Sequence, residues 1–152
     1  MTYEELQELH ELLFKTMGLI HEKFIRQFPK ESRQYQGIKK NHIMIIGFLY
    51  QNHVLTATQI AKMLNMEKGS LTTLIDQLEK FGLVIRHHDA NDRRRTLISL
   101  TDAGKSEIED IMKSSIQCID KILSNSKPEE LMKFVDSLKY IIQFMGKIKK
   151  VN

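Results

Sequence analysis

A single cysteine, Cys118, stands in 152 residues, so no disulfide can form within the chain and a disulfide-stapled secreted fold is excluded. No apolar run approaches the roughly 20 residues needed to cross a bilayer, and no membrane partner is expected. The opening residues, MTYEELQELHELLFK, are acidic and polar where a signal peptide is basic and then apolar, which points to a cytoplasmic protein. Gly-x-Ser-x-Gly elbows, phosphate-cradling glycine loops and His-Glu-x-x-His are all missing, so the chain is not expected to be an enzyme. Internal repeats, low-complexity tracts and flexible linkers are lacking too. Excess charge is slight: a net +4 and a pI near 9.1 say little about nucleic acid by themselves.

Six histidines invite a metal reading, but their spacing argues against one. His10 and His21 lie eleven residues apart on one helical stretch, and His42 and His53 eleven apart on the next. Eleven helical residues span about 16 Å, whereas ligands of one zinc sit about 2 Å from it. Cys118 falls among Ile116, Ile119 and Ile122 and reads as a small hydrophobe rather than a reactive thiol. Neither metal nor cofactor is expected.

What is present is helical periodicity. Leu6, Leu9, Leu13, Met17, Ile20, Phe24 and Phe28 recur at three- and four-residue steps, predicting one helix from Tyr3 to about Phe28, stopped by Pro29. A second helix is expected over Lys39 to Asn52. Thr56 followed by Gln59 reads as a capping box opening a short helix to Leu64. Asn65 and Met66 turn the chain into another helix, Glu67 to Phe81, with Leu71, Leu74, Ile75, Leu78 and Phe81 as its apolar stripe and Gly82 as its stop. Leu83 to His87 and Thr96 to Leu100 read as two short strands, with extended coil as the alternative. Thr101 caps a helix to about Asn125, although Gly104 sits where a capping box wants Glu. Ser126-Lys127-Pro128-Glu129 reads as a further capping box that opens the last helix.

Two short helices joined by a tight turn, then a two-stranded hairpin, make a winged helix-turn-helix. The expected fold class is mainly α with a small β-hairpin. A helix about 10–12 Å across suits a major groove about 12 Å wide. The hairpin tip, HHDANDRRRT, is long and rich in arginine, as a finger meeting phosphates and a narrow negative groove needs to be.

Residues 56 to 104 resemble the DNA-binding lobe of the MarR family of bacterial transcriptional regulators. The motifs that carry the likeness are TATQIAKMLNMEKGSLTTLIDQLEKFGLVIR and DANDRRRTLISLTDAG, with Asp92, Arg94, Leu100, Thr101 and Gly104 in place. The resemblance implies one domain. In it residues 39–104 form the DNA-binding lobe, and 1–38 with 105–152 supply N- and C-terminal dimerisation helices. It implies a homodimer on a palindromic operator of double-stranded DNA, with binding relieved by a small-molecule effector. The apolar stripes of the first and last helices want a partner surface in any case, folding back as a monomeric core being the alternative.

By position, the resemblance puts Lys68, Gly69, Ser70, Thr72, Thr73 and Gln77 on the recognition helix. It puts His88, Arg93, Arg94 and Arg95 on the wing and makes Asp92 the wing's brace. Simple solvation is the alternative for Ser70 and Thr72. An effector crevice would be lined by Met17, Ile20, His21, Phe24, His42, Ile46 and Met112, suited to an apolar aromatic or acyl ligand, although core packing explains the same stripe. One departure stands out. Glu67, Asp76 and Glu79 outnumber Lys68 and Lys80, three negatives against two positives, so the recognition helix and its cap carry −1. That acidity favours the rival reading, a winged-helix module that binds proteins and has no operator. Because Lys68 works against that local charge, Arg94→Ala is predicted to cost more DNA affinity than Lys68→Ala; a duplex titration giving the reverse order would reject the ranking.

Overall fold

The computed structural model describes residues 1–30, 32, 34–89, 92 and 95–148. Among them are six α-helices and three short strands: α1 (Tyr3–Lys23), α2 (Lys40–Asn52), β1 (Val54–Thr56), α3 (Ala57–Leu64), α4 (Lys68–Lys80), β2 (Val84–His88), β3 (Thr96–Leu100), α5 (Asp102–Leu123) and α6 (Pro128–Lys147). The chain divides into two compact units. One is Ile25–Ile116; the other combines Met1–Phe24 with Gln117–Asn152.

The first unit holds the buried core, in which Ile38, Ile45, Ile46, Leu49, Ile60, Leu71, Ile75, Leu78, Leu83, Val84 and Ile98 are almost wholly excluded from water. Its helix-turn-helix starts as expected: the Thr56 hydroxyl accepts the Gln59 N–H at 3.3 Å, and Gln59 Oε1 accepts the Thr56 N–H at 2.8 Å. Asn65 ends α3 in the left-handed region, φ 49°, which asparagine tolerates. Gly82, φ 72°, ends α4. There the Gly82 and Leu83 N–H groups donate back to the carbonyls of Glu79 and Leu78, a double closure of the last turn.

The sheet has the order β1-β3-β2, antiparallel throughout, with Leu55 opposite Ile98 and Ile98 opposite Arg86. Strand β1 was not expected. Three residues squeezed between a helix and a capping box are too few to show alternation, and only pairing with β3 makes Val54–Thr56 a strand.

Two other expectations are corrected. The first helix stops at Lys23, and Ile25–Gln27 continues as a 3₁₀ turn, so the helix ends before Pro29 rather than at it. The last helix has Lys127, not Ser126, at its N-cap, without a side-chain cap bond. Pro128 at the first helical position removes one of the N–H groups a cap would serve and is already set for helical φ.

The unit of α1, the end of α5 and α6 is built differently. Neither α1 nor α6 contains a buried residue. The Phe24 and Phe134 rings stack with centroids 6.1 Å apart. Leu6, Leu9, Leu13, Phe14 and Met17 on α1, and Val135, Ile141, Ile142, Phe144 and Met145 on α6, are exposed. Among the described residues no helix is long and apolar enough to cross a membrane.

Gly104 illustrates a constraint that no propensity scale shows. A Cβ there would lie 2.0 Å from the Leu83 carbonyl oxygen, whereas one at Gly69 would meet nothing within 4 Å. Glutamate, which a capping box would prefer, therefore has no room. Gly104→Ala is expected to destabilise by about 1–3 kcal/mol or more. Gly69→Ala, in open space on a helix, should stabilise by at most about 1 kcal/mol. Urea unfolding of both variants checks the contrast; equal effects would remove the argument.

Candidate nucleic-acid interface

Helix α4 is anchored by one face. Leu71, Ile75 and Leu78 are buried, which leaves Lys68, Gly69, Ser70, Thr72, Thr73 and Gln77 exposed on the other side. The apolar spacing thus settles which residues meet solvent or a partner. The Thr72 hydroxyl donates to the Lys68 carbonyl at 2.9 Å, and that of Thr73 to the Gly69 carbonyl at 3.4 Å. With its hydrogen engaged, each hydroxyl offers outward only an oxygen, fit to accept an N–H such as an exocyclic amine of a base. Glu67, the N-cap residue of α4, makes no side-chain bond to the helix's first-turn N–H groups. Beside them lies a cleft of about 440 Å³ lined by Thr58, Ala61, Lys62, Asn65, Met66, Glu67 and Lys68.

The acidic residues of α4 have a partner that sequence reasoning missed. Arg86, on β2, reaches across to pair with both Asp76 and Glu79. Its direction follows from strand parity: Val84 and Arg86 share a face, and Val84 is buried. The signal was there to read, an arginine two residues beyond a core valine and two carboxylates three apart on the preceding helix. With one guanidinium against three negatives and two positives, the local sum rises from −1 to zero. Both carboxylates remain largely exposed, so the pairing adds no more than about 1 kcal/mol to stability. Its effect is to hold wing and helix in register.

Wing geometry is set by its own turn. The Asp89 N–H donates to the Arg95 carbonyl at 3.0 Å, and the Arg95 N–H donates to the Asp92 carbonyl at 2.9 Å. The Arg95 guanidinium lies 3.6 Å from the Asp89 carboxylate. The Asp92 carbonyl thus closes a backbone turn, and the Asp89–Arg95 pair is a further contact of the wing that was not foreseen. His88 is exposed at the end of β2, opposite Thr96. Arg93 and Arg94 lie outside the described residues.

The seven expected crevice residues fall in different settings. Met17 and His21 are exposed, and Ile20 and Phe24 half-buried, all in the α1–α6 unit. Ile46 is fully buried in the winged-helix core, His42 is 5% exposed and hydrogen-bonded, and Met112 is exposed. Within the winged-helix unit a cavity of about 670 Å³ opens elsewhere, between Leu49, Tyr50, His53, Ser99, Leu100, Lys105 and Glu109. At its wall the Tyr50 hydroxyl donates to Glu109 at 3.2 Å. That hydrogen bond, then the carboxylate's negative charge, raises the Tyr50 pKa above the ordinary phenol value. His53 lines the same cavity with φ 63°, a backbone that residues other than glycine rarely adopt. Among the described residues no cluster of His, Cys, Asp or Glu could hold a metal ion.

The MarR family model matches residues 38–96, the span from just before α2 to the first residue of β3. The regulator YcgE of Bacillus subtilis, an uncharacterised helix-turn-helix protein, is 31% identical over 120 residues, 79% of this chain and 73% of that protein. The chain belongs to the MarR family. A second relative, the helix-turn-helix-type transcriptional repressor YetL of Bacillus subtilis, is 31% identical over 105 residues, 68% of this chain. That alignment spans 63% of YetL's own length. A MarR family protein from Bacillus stearothermophilus shares the fold, with a TM-score of 0.74, 22% identity and coverage of 97% of this chain and 99% of that one.

Tyr50 provides a pH test of the geometry. A phenol whose pKa is raised on folding stabilises the fold fully below the unfolded value, and that stability is lost as pH rises through the folded value. Unfolding free energy should therefore fall above about pH 10, and Glu109→Gln should remove that part of the fall. Denaturant titrations between neutral and alkaline pH decide it; identical alkaline profiles for both proteins would refute the bond.

Proposed function

We propose that the protein is a cytoplasmic transcriptional repressor that binds a palindromic operator in double-stranded DNA as a homodimer, with binding modulated by a small molecule. The observation that carries this reading is the face of α4. Three buried residues hold it to the core, and a row of small hydroxyl, amide and lysine side chains is presented outward beside the wing. Such groups bond phosphates and base edges. The resemblance assigns Arg94 to the minor groove, with Arg93 and Arg95 on phosphates and His88 beside them. Support for repression comes from YetL, whose name is that of a repressor.

Dimerisation is supported by the exposed apolar stripes of α1 and α6, since contiguous apolar faces of this kind mark association surfaces. In this reading residues 1–38 and 105–152 furnish the dimerisation helices and 39–104 the DNA-binding lobe. Two-fold symmetry then sets the recognition helices about 34–36 Å apart, one duplex turn. For the effector, the 670 Å³ cavity of the winged-helix unit is of a size that holds small organic ligands. The rival reading, a protein-binding module, drew on the acidity of α4. The Arg86 pairing accounts for that acidity without it.

Fluorescence anisotropy with duplexes from the region preceding its own gene tests the proposal. Two protomers should bind per site, and affinity should fall steeply with salt, with a log–log slope of about −0.9 per phosphate contact. Arg86→Ala, which unmasks Asp76 and Glu79 beside the duplex, should weaken binding by roughly fivefold, or about 1 kcal/mol, and Asp76→Asn with Glu79→Gln should restore part of it. A protein that is monomeric in sedimentation, or that ignores every such duplex at low salt, would defeat the reading.

A further inference from the structure

His42 lies in the first turn of α2 and is bonded on both sides of its ring. The Lys39 N–H donates to Nδ1 at 3.1 Å, and Nε2 lies 2.8 Å from Oε1 of Gln77 on α4. A backbone N–H can only donate, so Nδ1 presents its lone pair there and the ring hydrogen resides on Nε2. Nε2–H therefore donates to Gln77. The Gln77 amide cannot flip without setting its own NH₂ against that N–H, donor against donor. Gln77 is thus held with its oxygen toward the buried ring, and its NH₂ has no hydrogen-bond partner among the described residues. It stands one turn beyond Thr73 and two beyond Ser70, on the exposed face of α4.

We infer that His42 makes Gln77 a donor-only reader of base edges. This rests on the reading of α4 as the helix that enters the groove. An unrestrained glutamine reads adenine with both ends of its amide, the oxygen accepting from N6 and the nitrogen donating to N7. His42 holds that oxygen turned toward the buried ring, so the amide cannot present its oxygen and nitrogen together to adenine. An NH₂ alone meets two adjacent acceptors on guanine, O6 and N7, and O4 on thymine; on adenine it has N7 only, beside the like donor N6, and on cytosine it faces a like donor. Gln77 then favours guanine or thymine at the base it meets, and His42, which touches no DNA, sets that preference as a positioning residue.

Two measurements test this. Long-range ¹H–¹⁵N correlation spectra of the intact protein should show His42 with Nδ1 unprotonated and Nε2 protonated; a hydrogen on Nδ1 overturns the inference before any DNA is added. Duplexes are then selected from a randomised library by the wild type, His42→Asn and Gln77→Ala. Asparagine keeps an oxygen near the place of Nδ1 for the Lys39 N–H but cannot reach Gln77. At one base pair in each half-site, His42→Asn should raise adenine about fivefold or more relative to guanine and thymine. Gln77→Ala should flatten the preference at that same pair, which keeps the test sharp even if His42→Asn folds poorly. Unchanged base preferences in both variants refute the role of His42 while leaving the DNA-binding reading intact. A wild type that enriches no sequence sinks the reading of α4 itself, and the inference with it.

Discussion

The carbonyl group of Leu83 is the point on which the winged-helix unit turns. Its residue's N–H closes the end of α4 on the Leu78 carbonyl, and its oxygen accepts the Thr101 N–H at 3.1 Å. The Thr101 hydroxyl in turn donates to the Gly82 carbonyl at 2.6 Å and accepts the Gly104 N–H at 3.0 Å. Within a few ångströms, the end of α4, the root of the wing and the start of α5 share one hydrogen-bonded junction. Leu83 is also fully buried, so an unpaired backbone group there would cost about 1–3 kcal/mol. The close approach needs a residue without a side chain on α5, and Gly104 fills that place.

From that junction outward, several side chains of the unit are aimed by something behind them. The wing strand leaves Leu83 with Val84 facing the core, which by parity sends Arg86 toward the carboxylates of α4. The far end of the wing is closed by the Asp89–Arg95 pair and the turn at Asp92. On the other flank His42 grips α4 through Gln77. The individual ion pairs are exposed and contribute little to stability. Their common effect is directional: they hold an outwardly polar helix and a charged hairpin as one surface.

The α1–α6 unit is governed by the opposite circumstance. Its helices form from strong periodicity and a good N-cap, Thr2 with Glu5, yet α1 and α6 contain no fully buried residue. Each exposed leucine, isoleucine or phenylalanine leaves about 1.5–3 kcal/mol of burial unrealised. Two long apolar faces in that condition are expected to associate, which is why the dimer belongs to the proposed function.

Much of this was legible in the chain. Helical stripes, the Thr56–Gln59 box, the turn at Asn65, the stop at Gly82 and the two wing strands all follow from contacts within four residues or from strict alternation, which sequence order displays directly. The family likeness came from the same short stretches. What the chain could not display were the meetings of residues far apart: β1 with β3, Arg86 with Asp76 and Glu79, His42 with Gln77 across 35 positions, and the Leu83 carbonyl against Gly104. Local order determines where helices and strands begin and end, because propensity and capping act between neighbours. Which polar group faces which is decided only when burial of the apolar faces brings distant segments together, because hydrogen bonds and ion pairs act over a few ångströms and have no reach along the chain.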